Sequence, residues 1–148
     1  MIASEYHDGG RAAAGYKGDV GDCVARAIAI ASELPYAQVY EALAAGTGAQ
    51  RAGKHGKKRA ASARNGINTT RQWFKDYMLS LGFVWHATMH IGSGCKVHLR
   101  ADELPAGRLV CSLSKHYAAV INGVLYDTSD CSRDGTRCVY GYWTKVHD

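Results

Sequence analysis

No run of apolar residues in this chain approaches the ~20 positions that a membrane-crossing helix needs. The opening residues, Met1-Ile2-Ala3-Ser4-Glu5-Tyr6-His7, lack the basic stretch followed by an apolar one that marks a secretory leader. The expectation is a cytoplasmic protein with no membrane partner. The cysteines, Cys23, Cys95, Cys111, Cys131 and Cys138, are odd in number and lack framework spacing, which points to reduced thiols. Acids are absent from residues 46–66, which hold six Lys/Arg: Arg51, Lys54, Lys57, Lys58, Arg59 and Arg64. The whole chain carries +5, so the remainder is close to neutral and the basicity belongs to one Gly/Ala-rich loop. Lys54, Lys57, Lys58 and Arg59 suit contact with nucleic acid or another polyanionic partner. No aromatic residue interleaves these charges to stack on bases, so a solvated insertion is the plainer reading.

What is present is ordinary for a globular chain. With 148 residues, 47% apolar and 21% charged, it suffices for one domain around a single core. Residues 1–21 lack periodicity and read as an irregular lead-in. Asp22 is a natural N-cap for a helix in which Val24, Ala27, Ile28 and Ala31 recur at i, i+3, i+4 and i+7. Pro35 suits the first turn of a second helix running to about Ala45, with Gly46 as its stop. Asn68-Thr69-Thr70 offers caps for a third, whose Trp73, Phe74, Tyr77, Met78 and Leu81 keep helical spacing before Gly82. After a short strand at residues 83–86, β-branched and alternating residues predict strands at 108–113, 116–121, 124–126 and 138–143. Helices first and an antiparallel sheet after them make the fold class α+β.

Cys23 stands one step inside the first helix, where the unpaired N–H groups and the positive end of the helix dipole favour a thiolate. As a small buried hydrophobe it would be equally at home there, so a base is needed to make it a nucleophile. Asn122-Gly123 between two apolar runs predicts a two-residue hairpin that pairs Ile121 with Val124 and Ala118 with Asp127. His116 and Asp127 then share one sheet face as diagonal neighbours, within reach of a hydrogen bond. A slip of one residue would part them. Ala118 on that face leaves room for the Cys23 helix, which is expected on the His116 side. A thiol at a helix start, with a histidine and an orienting carboxylate on adjacent strands, is the activated-nucleophile pattern. Asp130 is the substitute for the third position.

The order Cys, His, Asp, with helices before a sheet, resembles the papain-like superfamily, and especially the small peptidase domains that process bacteriocin leaders. The shared features are Asp22-Cys23 opening a small-residue helix and His116-Tyr117-Ala118-Ala119-Val120 beginning a strand. Residues 21–31, 94–99 and 137–143 are also similar to small uncharacterised proteins of tailed phages and prophages, which implies a mobile-element origin and a bacterial host cytosol. The resemblance implies a papain-like fold, cleavage of a peptide or isopeptide bond in a peptide or protein substrate, and no cofactor. Two departures stand out. The Cys-Gly-Ser/Ala-Cys-Trp/Tyr signature is absent, and the oxyanion glutamine six residues before the nucleophile is replaced by Lys17, a less pre-organised candidate for the second oxyanion donor beside the Cys23 N–H. Two other readings stay open. His86, His90, Cys95 and His98 could hold zinc in an uncommon spacing, with Cys131-x6-Cys138 a weaker pair. A catalytically silent scaffold could instead bind a host protein or nucleic acid through its basic loop.

Overall fold

The computed structural model describes residues 2–15, 22–49, 67, 69–90 and 92–146. Over these residues the chain is α+β. Strand β1 (Ala3–Tyr6) precedes helices α1 (Cys23–Ser32), α2 (Tyr36–Ala49) and α3 (Gln72–Ser80). Then come β2 (Phe83–Ala87), β3 (Val97–His98), β4 (Arg108–Leu113), β5 (His116–Ile121), β6 (Val124–Asp127), β7 (Cys138–Val139) and β8 (Gly141–Lys145). Six strands form one sheet in the order β1-β6-β5-β4-β8-β2, antiparallel except where β1 runs parallel to β6. β3 and β7 pair separately.

The β5–β6 hairpin has the register that Asn122-Gly123 dictates: Ile121 pairs with Val124, Val120 with Leu125 and Ala119 with Tyr126. Asn122 and Gly123 both adopt positive φ, 49° and 79°, as a primed turn requires. The lead-in is more ordered than its composition suggests. Ala3–Tyr6 lie along β6, and the His7 N–H donates to the Asp127 carbonyl at 3.0 Å. All four residues of β1 are exposed, so an edge strand of this kind leaves no alternating pattern to read.

Helix α1 lies at the centre, with seven of its ten residues buried. It packs on the sheet face carrying Val110, Tyr117, Ala119 and Trp143, together with Phe74 and Met78 of α3. That corrects its expected placement on the face of Ala118. Ala25, Ala27, Ala29 and Ala31 make the helix itself the slim partner, so it accommodates the aromatic face. The Ala118 face is closed instead by Leu99, Leu104 and Val139. Helix α2 runs past Gly46 to Ala49, because Gly46 is a packing notch and no stop. A Cβ there would fall 2.3 Å from Cε3 of Trp73. The basic loop at 46–66 falls, beyond Ala49, outside the described residues, as do Lys17, Lys54, Lys57, Lys58 and Arg59.

Cys95 and Cys138 form a disulfide, while Cys23, Cys111 and Cys131 are free. The expectation of reduced thiols is corrected, and with it goes one support for a cytoplasmic location. The 43-residue separation lets the bond remove about 4 kcal/mol of loop entropy from the unfolded chain on the chain-entropy account. Thiol titration without reductant should find Cys23 and Cys131 in the native protein and Cys111, fully buried, only after unfolding. Replacing Cys95 and Cys138 by Ala should lower unfolding stability in urea by about 2–4 kcal/mol. Five thiols in the unreduced, unfolded protein would contradict the pairing.

Candidate active site

Cys23 is the first residue of α1, half-buried, with its backbone N–H in the unpaired first turn. Asp22 occupies the cap position but makes no side-chain cap. Its carboxylate is buried and turned to a charge cluster: it forms an ion pair with Arg11 Nε at 2.9 Å and accepts from Arg26 Nη1 and from the Tyr36 hydroxyl. Burial and the Asp22 carboxylate together raise the Tyr36 pKa, keeping the phenol protonated. Gly9, at φ 74°, lets the lead-in close on this end of the helix. A Cβ there would stand 3.0 Å from the Arg26 Cα and carbonyl oxygen.

Arg26 carries the cluster toward the sheet, its Nη2 lying 3.8 Å from Asp127 Oδ1. Asp127 is buried at the end of β6 and binds His116 Nε2 through Oδ2 at 2.6 Å, while Oδ1 accepts from the Thr128 N–H at 2.7 Å. His116 opens β5 directly after Lys115, whose φ is 56°. With Nε2 committed to Asp127, Nδ1 is the nitrogen left for a thiol. The Cys23 thiol acts on this ring electrostatically, and Cys131 Sγ lies within 4.8 Å of one of its nitrogens.

These contacts set the charge state. For Cys23, burial pushes the thiol pKa up, but His116, the Tyr117 backbone N–H and Arg26 outweigh it, leaving the pKa below its ordinary 9.0. Asp127 above all, then Cys131 and Cys23, push His116 up to about 11 against the opposing effect of burial. Burial likewise raises Asp127, and His116 with the Thr128 N–H brings it below 3.8. Near neutral pH the site therefore holds an imidazolium and a carboxylate, and the Cys23 thiol ionises more readily than an ordinary one. Raised above its unfolded value of 6.5, His116 adds stability that is complete below that pH and lost as pH climbs through about 11. The depressed Cys23 thiol adds stability above 9.0 that fades as pH falls through its lowered value.

A cavity of about 450 Å³ opens over this group, lined by Cys23, Arg26, Ser112, Lys115, His116 and Tyr117 among others. A second, of about 370 Å³, shares Thr69, Ser112 and Tyr117 with it and continues to Trp85 and Trp143. The two cavities are therefore neighbours, with Cys23 in the first and the two tryptophans in the second.

Of the sequence candidates, Cys23, His116 and Asp127 come together. Asp130 does not: it accepts from the Ser132 N–H at 3.0 Å and hydroxyl at 2.7 Å and shapes its own loop. The proposed zinc set fails, because Cys95 is consumed by Cys138, His86 stacks on Tyr142 and His98 Nδ1 sits 3.1 Å from Glu103. The Cys131–Cys138 pair fails with it. Five site residues were not legible as such: Arg11, Asp22 in its ionic role, Arg26, Tyr36 and Cys131. The i, i+4 spacing of Asp22 and Arg26 was the available signal. No helix among the described residues is long and apolar enough to cross a membrane. No protein-family model, curated protein or solved structure matches this chain.

Asp22 is a buried carboxylate that pairs with two largely buried arginines, so its removal takes away a negative charge that offsets both. Asp22→Ala should cost about 3–5 kcal/mol in urea unfolding. A loss under about 1 kcal/mol, the range of exposed ion pairs, would show that water screens the cluster.

Proposed function

We propose that this protein is a papain-like thiol hydrolase that cleaves an amide bond, peptide or isopeptide, with Cys23 as nucleophile, His116 as acid and base and Asp127 as its orienting partner. The observation that carries this reading is a single imidazole that is hydrogen-bonded to a buried carboxylate and lines the same cavity as the Cys23 thiol. Cys23 is preferred over Cys131 on three grounds. It begins a helix, it lines the cavity, and its thiol is depressed by His116 and Arg26.

In this mechanism the Cys23 thiolate attacks the substrate carbonyl, and the Cys23 backbone N–H donates to the oxyanion that forms. His116 gives a ring proton to the leaving amine as the tetrahedral intermediate collapses, so the amine departs neutral. The acyl-thioester left on Cys23 is opened by water, whose proton His116 takes up. Asp127 fixes the ring orientation and balances the imidazolium. The neighbouring cavities, one at Cys23 and one at Trp85 and Trp143, suit an extended substrate with a bulky apolar group away from the scissile bond.

Alkylation followed by peptide mass spectrometry tests the nucleophile. Cys23 should react at pH 6, far below its ordinary 9.0, and faster than Cys131. Asp127→Asn removes the main support of the imidazolium, and the reaction profile should move up by about 1–3 pH units. Equal reactivity of Cys23 and Cys131 at pH 6, or a profile unmoved by Asp127→Asn, contradicts the assignment.

A further inference from the structure

Cys131 has no task in that hydrolysis, yet it reaches the same two side chains. Its Sγ, a ring nitrogen of His116 and a carboxylate oxygen of Asp127 all lie within 4.8 Å of one another, the only such group of three found among the described residues. A tetrahedral zinc-class ion, with bonds of about 2.0–2.3 Å, holds its ligand atoms roughly 3.3–3.7 Å apart. The His116–Asp127 contact, now 2.6 Å, would widen by about 1 Å, and the thiol, within 4.8 Å of both, would close by at most about 1.5 Å. Both adjustments are within the reach of side-chain rotation.

The surroundings suit an ion. The Asp127 Oδ1 is already held by the Thr128 N–H and faces Arg26, so Oδ2, now on His116 Nε2, is the oxygen that would serve as a single ligand. Such outer-shell support is what a ligating carboxylate requires. Imidazole, thiolate and carboxylate together favour zinc-class ions over magnesium or calcium, and three protein ligands leave a fourth position for water.

We infer that His116, Asp127 and Cys131 form a reversible site for a zinc-class divalent cation that blocks the Cys23 centre when occupied. The binding rests on the three ligands alone; the blocking rests on the hydrolase reading above. On binding, the ion replaces the proton between Nε2 and Oδ2 and displaces the proton of the Cys131 thiol, so two protons leave to solvent. With Nε2 on the ion, the remaining ring hydrogen sits on Nδ1. The ring then has no lone pair to take a proton from Cys23 or from water, and hydrolysis stops. The ion here is an inhibitor and takes no part in bond cleavage.

The test uses the full chain, stripped with chelator and titrated with cobalt(II) as a spectroscopic probe. A thiolate-to-cobalt absorption in the near-ultraviolet should appear at equimolar metal, persist in Cys23→Ala and vanish in Cys131→Ala. Because Cys131→Ala could disturb folding, the unmodified protein supplies a second readout. Equimolar zinc should slow alkylation of Cys131 at least roughly tenfold, reversed by EDTA. No absorption in the unmodified protein, or an absorption that needs Cys23 and not Cys131, overturns the site. Metal binding through Cys131 with an unreactive Cys23 upholds the site and removes the hydrolase reading. A reactive Cys23 whose alkylation and that of Cys131 ignore zinc removes the metal site alone.

Discussion

The hydrogen bond between His116 Nε2 and Asp127 Oδ2 is the contact on which the rest of the site depends. It holds a ring near the strand's mouth, assigns one nitrogen to the carboxylate and leaves the other for a thiol. It exists because Asn122 and Gly123 accept positive φ and so fix the β5–β6 register. A one-residue slip would put His116 and Asp127 on opposite faces. Parallel pairing of β1 with β6 and the His7–Asp127 backbone bond hold the carboxylate end of the hairpin from the other side.

Helix α1 meets this pair through Arg26, which touches both Asp22 and Asp127. One guanidinium therefore links the residue preceding the thiol to the carboxylate behind the histidine. Burying so many charges offers little net stability when the cluster is complete and a heavy loss when one member is removed. It does define position: Asp22, Arg11 and Tyr36 hold the start of the helix, and the helix start holds Cys23. The alanine-rich body of α1 lets this charged end approach the sheet while the aromatic residues Phe74, Tyr117 and Trp143 fill the space behind it.

Local signals in the sequence carried much of this. The hairpin turn fixed β5 and β6 and with them the His116–Asp127 pair, and the apolar spacing of residues 24–31 marked α1, though not the sheet face on which it packs. What failed to show were contacts between segments distant in sequence. Gly46 reads as a helix stop because nothing nearby announces Trp73, and Ala3–Tyr6 read as irregular because an exposed edge strand needs no alternation. Cys131 and the Cys95–Cys138 bond depend on loops whose course no periodicity encodes. Asp22 has the composition of a cap, yet two arginines and a tyrosine compete for its carboxylate more strongly than the backbone does.

The most direct measurement is a pH titration of the His116 ring by nitrogen-15 NMR, in the intact protein and in Cys23→Ser. An imidazolium between thiolate and carboxylate should keep both ring nitrogens protonated past pH 8, titrating near about 11, and should lose part of that elevation in Cys23→Ser. A His116 that titrates near 6.5 in both proteins would contradict the charged triad.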